Sequence, residues 1–185
     1  YAPVCFPNPV QFAENNNTGG RPIISRYWAF GDAATATNSN PSHAYAAPGT
    51  YTARFALITD VGCLSDTTSH IVTVSPLPTA TISGTVAVCQ QATAPVITFT
   101  GAGGTSPYTF TYTINGGAPQ TVTTITGNST IVTAPTATPG TFTYSLVSVQ
   151  DASPASCNQA QTGTAVVTVN PLPTATISGT TTVCQ

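Results

Sequence analysis

The stretch "YTFTYTI" at residues 108–114 decides the fold. Tyr108, Phe110, Tyr112 and Ile114 alternate with threonines, so an extended chain puts four large apolar side chains on one face and hydroxyls on the other, as a half-buried strand requires. "NGG" at 115–117 follows directly and supplies the positive φ angles of a tight hairpin turn. Further outward, "TFTYSLVSV" (141–149) and "TAVVTV" (164–169) read as strands, and no window carries a helical period with caps. The expected fold class is all-β.

The same skeleton occurs twice. A cysteine in an early strand is followed by "PGTY" (48–51) or "PGTF" (139–142), then a second cysteine, then "IVTVSPLP" (71–78) or "VVTVNPLP" (166–173). "PLPTATISGTVAVCQ" (76–90) also returns as "PLPTATISGTTTVCQ" (171–185), with Pro76 and Pro171 95 residues apart. These landmarks divide the chain into units 1–75 and 76–170, with 171–185 as the first strand of a further repeat. Strands spaced 8–12 residues apart imply two-sheet sandwiches, so the expectation is tandem immunoglobulin-like β-sandwich domains arranged end to end. Prolines on both sides of Leu77, and again of Leu172, make the joints short and extended. "YAPVCF" (1–6) aligns with "TVAVCQ" (85–90), so the first unit lacks the strand that "TATISG" provides in the second. Residues 174–183 of another molecule are a candidate to supply it as a donated strand.

Charge narrows the function. Only 4% of residues are charged, Lys is absent, and the cations Arg21, Arg26 and Arg54 all lie in the first unit. Binding to nucleic acid or anionic lipid needs clustered cations, so neither is expected as a partner. The apolar runs, such as "RFALI" (54–58), are far too short to span a bilayer, and no membrane insertion is expected. About a fifth of the chain is Thr, so the solvent face is hydroxyls in place of ions. Strand edges without charges are unguarded against pairing, which points to glycan cover or to self-association into a filament. "NNT" (16–18) and "NST" (128–130) match the N-glycosylation sequon.

The cysteines are Cys5, Cys63, Cys89, Cys157 and Cys184, two per full unit. A module that is repeated is expected to be cross-linked within itself, which pairs Cys5 with Cys63 and Cys89 with Cys157. Cys184 is then unpaired or bonded to another unit. Such bridges imply an extracellular location. No CxxC spacing exists, and His43 and His70 are isolated, which argues against zinc. Asp32, Asp60 and Asp66 lie near loops without a dense DxDxD run, so turn hydrogen bonds are expected in place of calcium. "ENNNTGG" (14–20) reads as a mobile loop. No GxSxG elbow exists, and the second unit holds no His, Lys, Arg or Glu, with Asp151 its only charge. General acid–base chemistry has almost nothing to use there, so no catalytic residue, metal or cofactor is expected.

The first unit resembles the PKD domain, on the strength of "YWAFGD" (27–32), "NPSHAYAAPGTYTARFALITDVGC" (40–63) and the closing "IVTV" (71–74), across residues 3–75. Ala29 and Ala33 replace the acidic residue and the glycine common in that pattern. The resemblance implies a seven-stranded sandwich in which Trp28 and Phe30 face the core, Asp32 accepts backbone hydrogen bonds, His43 is packed and Tyr51 opens a core strand. Trp28 as core leaves Tyr1 and Tyr27 as the more open aromatics for sugar stacking. The second unit resembles the tandem immunoglobulin-like repeats of giant Bacteroidota surface proteins, including gliding-motility adhesins exported by type IX secretion, through "PLPTATISGT", "ITFTGAGGTSPYTFTYTINGG" and "GTFTYSLVSVQDAS". "DTT" (66–68) resembles the O-glycosylation signal of that group, with Thr67 as acceptor. These resemblances imply a non-catalytic structural or adhesive segment of a cell-surface repeat protein. Its partners would be neighbouring repeats, its own copies in a filament, and surface glycans or other cells. The alternative they imply is a set of accessory modules of a secreted polysaccharide- or protein-degrading enzyme.

Overall fold

The computed structural model describes residues 2–179. Its elements in chain order are β1 (Val4–Cys5), β2 (Val10–Gln11), β3 (Ile23–Ala29), β4 (Thr35–Ala36), β5 (Ser42–His43), β6 (Gly49–Thr59) and β7 (Thr68–Ser75). There follow β8 (Thr79–Ser83), β9 (Val86–Cys89), β10 (Val96–Ala102), β11 (Thr109–Ile114), β12 (Gln120–Thr123), β13 (Ser129–Thr133), β14 (Gly140–Gln150), β15 (Asn158–Ala160) and β16 (Thr164–Asn170). The protein is all-β, built from β-sandwiches.

Each sandwich has its own core. In the first, the sheet β1-β7-β6-β3-β4 covers the small pair β2-β5, and Val10, Phe12, Trp28, Phe30, Tyr45, Val72 and Val74 are buried together. In the second, the sheet β12-β11-β14-β16-β9, with β15 paired to β14, covers β13-β10-β8 around Phe99, Tyr108, Phe110, Tyr112, Tyr144 and Val167. The alternation of "YTFTYTI" is realised: Tyr108, Phe110 and Tyr112 are buried while the threonines between them are half-exposed. Burying each such ring stabilises by roughly 2–3 kcal/mol relative to leaving it in water. Tyr108 lies against the backbone of Gly101, where a Cβ would sit 2.6 Å from its ring carbon. That close approach is why β10 carries a glycine at that position. Asn115 and Gly116 do take positive φ, at 51° and 69°. The connection is nevertheless longer than a tight turn, because β12 starts only at Gln120, opposite Tyr112.

The two units share their register at one end. β1 runs parallel to β7 with Cys5 opposite Ser75, and β9 runs parallel to β16 with Cys89 opposite Asn170. The Pro-Gly signals start the two longest strands, of 11 residues each, with Gly49 opposite Val74 and Gly140 opposite Val169. The units differ at one edge. β8 pairs with β10 from Thr79↔Ala102 to Ser83↔Thr98, whereas among the described residues nothing comparable flanks β2 in the first unit. Residues 171–179 form no strand in this chain, and the remainder of the 174–183 segment lies outside the described residues.

The structure corrects the cysteine pairing. Cys5 sits beside the end of β7 at which β6 begins, while the carbonyl of Cys63 accepts from Thr59 N–H (3.1 Å) at the far end of β6. In the second unit, Cys89 sits opposite Asn170, at the end of β16 beside which β14 begins, and Cys157 lies at the far end of β14, where Asp151 N–H donates to its carbonyl (3.0 Å). Eleven residues of strand at roughly 3.3 Å each hold the two cysteines of one unit about 35 Å apart. A disulfide needs Cα atoms within about 7 Å, so neither intra-unit pair can form. Instead Cys5 bonds Cys157, with a Cα–Cα distance of 5.6 Å, across the joint between the units. Cys63 and Cys89 are exposed thiols, and Cys184 lies outside the described residues.

Candidate functional site

The joint between the units is built from a short proline linker, a partly buried loop and a disulfide. β7 ends at Ser75, and Pro76-Leu77-Pro78 then leads to Thr79, where β8 opens the second sandwich. Pro78 is fully buried, and the Leu77 carbonyl lies against Gly103. Beside this linker the loop 151–157 presents Cys157, itself 0% exposed, to Cys5.

Asp151 holds that loop in shape. Its carboxylate is 4% exposed and accepts from Ser153 Oγ (2.7 Å) and Cys157 N–H (2.8 Å) through Oδ1, and from Thr105 N–H (3.0 Å) through Oδ2. Ala152 N–H donates to the Thr105 carbonyl (2.9 Å), tying the same two loops again. Gly104 leaves room for the carboxylate, since a Cβ there would lie 2.6 Å from Oδ2. A buried charge is tolerated only when its lone pairs are occupied, and here three donors converge on it. In the sequence, Asp151 stands out only as the second unit's single charge, with no role assigned to it. The available signal was its solitude: the one charge in an otherwise uncharged unit, six residues before a cysteine.

The motif residues of the first unit gather into one cluster at the turn after β3. Trp28 is 6% exposed, donates from Nε1 to the Asn38 carbonyl (3.0 Å) and packs on Phe55 with centroids 4.1 Å apart. It has no open ring face for a sugar. Phe30 is buried and stacks on His43 at 4.2 Å, and Tyr45 donates to the Phe30 carbonyl (3.0 Å). Tyr51 stacks on Tyr45 at 3.9 Å and donates to the Ala47 carbonyl (2.8 Å). Asp32 accepts from Ala34 N–H (3.1 Å) and, through its other oxygen, from His43 Nε2 (2.7 Å). This dyad clamps a turn onto an aromatic stack. Among the described residues, no three His, Cys, Asp or Glu side chains converge as metal ligands would.

The other predicted positions are dispersed. Asp60 pairs with Arg21 at 3.5 Å, and Ser65 Oγ donates to the Asp66 carbonyl. Thr67 is exposed just before β7, as is Tyr27 on β3, while Tyr1 lies outside the described residues. The 14–20 loop is tethered near both ends, Glu14 by Arg26 and Thr18 by the Arg21 carbonyl (2.8 Å).

Two carboxylates give the first unit an acid sensitivity. Arg26 donates twice to Glu14, at 2.7 and 2.9 Å, and holds its pKa below the ordinary 4.5 against the opposing effect of burial. Burial pushes Asp32 upward, but the hydrogen bonds from His43 and Ala34 N–H outweigh it, leaving the pKa below the ordinary 3.8. Both groups bind fewer protons folded than unfolded, so their stabilisation is complete above 4.5 and is lost as pH falls through 4.5 and 3.8 towards the folded values. Trp28 is the chain's single Trp, so its fluorescence reports the first unit alone. Its thermal midpoint should be flat above about pH 5 and fall below about pH 4. The paired variant Glu14→Gln, Asp32→Asn should flatten that acid limb.

Comparison with known proteins places the first unit. Residues 2–74 match the model of the PKD domain. A microbial collagenase of Vibrio alginolyticus is 35% identical over 65 residues, which make up 35% of this chain and 8% of that protein. The chain therefore spans a small fraction of the curated relative it matches. Among solved structures, the fibronectin(III)-like modules of Clostridium thermocellum CbhA align over 96% of both chains at 13% identity and a TM-score of 0.41. The D00-D0 domain of intimin aligns over 90% of this chain and 95% of its own, at 11% identity and a TM-score of 0.42.

Proposed function

We propose, from the premise that the first unit is a PKD domain, that the chain is a non-catalytic structural and adhesive segment of a large secreted bacterial cell-surface repeat protein, forming a stalk or filament. The observation that carries this reading is the Cys5–Cys157 bond, which ties consecutive sandwiches together covalently, as an extended array of repeats would need. The bridge and the PKD match support an extracellular place. The repeated 15-residue opening at 76 and 171 supports continuation of the array, and the likeness to Bacteroidota surface repeats supports a type IX secreted, gliding-related setting. Partners in this reading are neighbouring repeats, further copies of the chain, and glycans or cells at the surface. Thr67, exposed beside Asp66, is a candidate glycan acceptor.

The collagenase match favours a second reading, in which the units are accessory modules of a secreted degradative enzyme. Immunogold labelling of producing cells with antibodies to this chain separates the two. Label along surface fibres is expected. Label confined to a secreted species that carries a hydrolase domain, together with retention of this chain on insoluble collagen or polysaccharide, would replace the first reading by the second.

A further inference from the structure

The bond between Cys5 and Cys157 has two unfilled counterparts in the same chain. Cys89 stands to the second unit as Cys5 stands to the first: each lies on a short strand parallel to the last strand, opposite its final residue, Asn170 or Ser75. The following residues also match, with Phe6 N–H donating to the Ser75 carbonyl (2.8 Å) and Gln90 N–H to the Asn170 carbonyl (2.7 Å). Cys63 stands to the first unit as Cys157 stands to the second, each with its carbonyl accepting from the backbone where the long strand ends, at Thr59 N–H or Asp151 N–H. Burial differs where a neighbour is present. Cys157 is fully buried at the joint, whereas Cys63 is exposed between Val61 (53%) and Leu64 (68%). Pro78 is fully buried in the first joint, whereas Pro173, its repeat, is exposed and Leu172 is 47% exposed.

We infer that Cys89 and Cys63 are inter-unit bonding sites: Cys89 bonds the second cysteine of the unit that follows, and Cys63 bonds the first cysteine of a unit joined ahead. The array is thus stapled at every joint by the same forward bond, from the first cysteine of one unit to the second cysteine of the next. The inference holds whether the units serve as a stalk or as accessory modules. The chemistry is thiol–disulfide exchange with a donor disulfide, supplied by a dithiol oxidoreductase or by oxidised glutathione. The Cys89 thiolate attacks the donor disulfide, forming a mixed disulfide and releasing one donor thiol. The neighbour's thiolate then displaces the second donor thiol. Two protein thiols lose two electrons and two protons, and the donor disulfide gains them as two thiols.

The test lengthens the whole chain by inserting a second copy of residues 76–170 after Asn170. This preserves both junctions, because Pro76 and Pro171 open the same "PLPTATISGT". After refolding in a glutathione redox buffer, free thiols are blocked with N-ethylmaleimide and the unreduced digest is mapped by mass spectrometry. The expected bonds are Cys5 to Cys157 of the first copy and Cys89 of the first copy to Cys157 of the added copy, with Cys63 blocked. Cys157→Ser in the added copy should return Cys89 of the first copy to the blocked fraction, from near-complete to negligible cross-linking. A Cys5–Cys157 bond beside a fully blocked first-copy Cys89 would overturn the inference. The 185-residue chain supplies an independent arm: a digest showing Cys5–Cys63 and Cys89–Cys157 would overturn it whether or not the longer chain folds.

Discussion

Replacing Asp151 with Ala should destabilise the second sandwich by about 4 kcal/mol, the largest effect expected from any single polar residue. The substitution removes one acceptor group and strands three donors, Cys157 N–H and Ser153 Oγ in buried positions and Thr105 N–H in a part-buried one. Each stranded donor costs about 1–3 kcal/mol, and partial relaxation brings the sum down. Asp151→Asn keeps the acceptor facing Cys157 and Ser153 but turns an amide N–H toward Thr105 N–H, so it should cost about 2 kcal/mol. Amide hydrogen exchange over peptides from 97–170 is the suitable readout. Core amides there should exchange roughly a thousandfold faster in the Ala variant, while Trp28 fluorescence reports an unchanged first unit. Equal loss in both units would show that Asp151 acts through the joint and not within its own sandwich.

Removing the inter-unit bridge should have an effect of similar size but different character. In the chain-entropy model, a link across a sequence separation of 152 removes roughly 5 kcal/mol worth of disorder from the unfolded ensemble. The pair Cys5→Ser, Cys157→Ser should therefore lower the denaturant midpoint, and reduction of the unaltered chain should reproduce the shift without replacing a buried atom. A second signature is geometric. With the bond broken, the joint is held by the Pro76-Leu77-Pro78 linker and its contacts, so small-angle scattering should show a wider spread of inter-unit angles. An unchanged midpoint and an unchanged scattering profile would together mean that the bond contributes nothing.

The parts of this architecture that were legible in the sequence are those governed by local periodicity. The alternation in 108–114 reflects a sheet with one face in the core, and the Pro-Gly pairs at 48–49 and 139–140 mark where the longest strands begin. The repeat showed that cysteines recur but not that a long strand carries the two cysteines of a unit to opposite ends. That depends on pairing between β6 and β7, or β14 and β16, which are separated by loops of unrelated sequence. A rule that each unit must close on itself and a rule that each must bond the next produce the same cysteine pattern, and only three-dimensional reach separates them. Asp151 was hidden for a related reason, since one of its three donors, Thr105 N–H, lies 46 residues away in sequence. The Asp32–His43 clamp was read as two separate residues, because its contact spans the turn and the small β2-β5 sheet.

Finally, the sulfur bridge alters how tension would pass through the chain. A pull applied to its ends crosses from Cys5 to Cys157 along covalent bonds, so the sequence between them is bypassed and the load falls on the strands outside that loop, β1 at one end and β15 and β16 at the other. The bypassed segment, 152 residues by sequence separation, corresponds to about 500 Å of contour that stretching cannot release while the bond is intact. Oxidised, the pair of sandwiches can give up only the short stretches outside the loop; reduced, the loop itself becomes a reserve of length that can be drawn out.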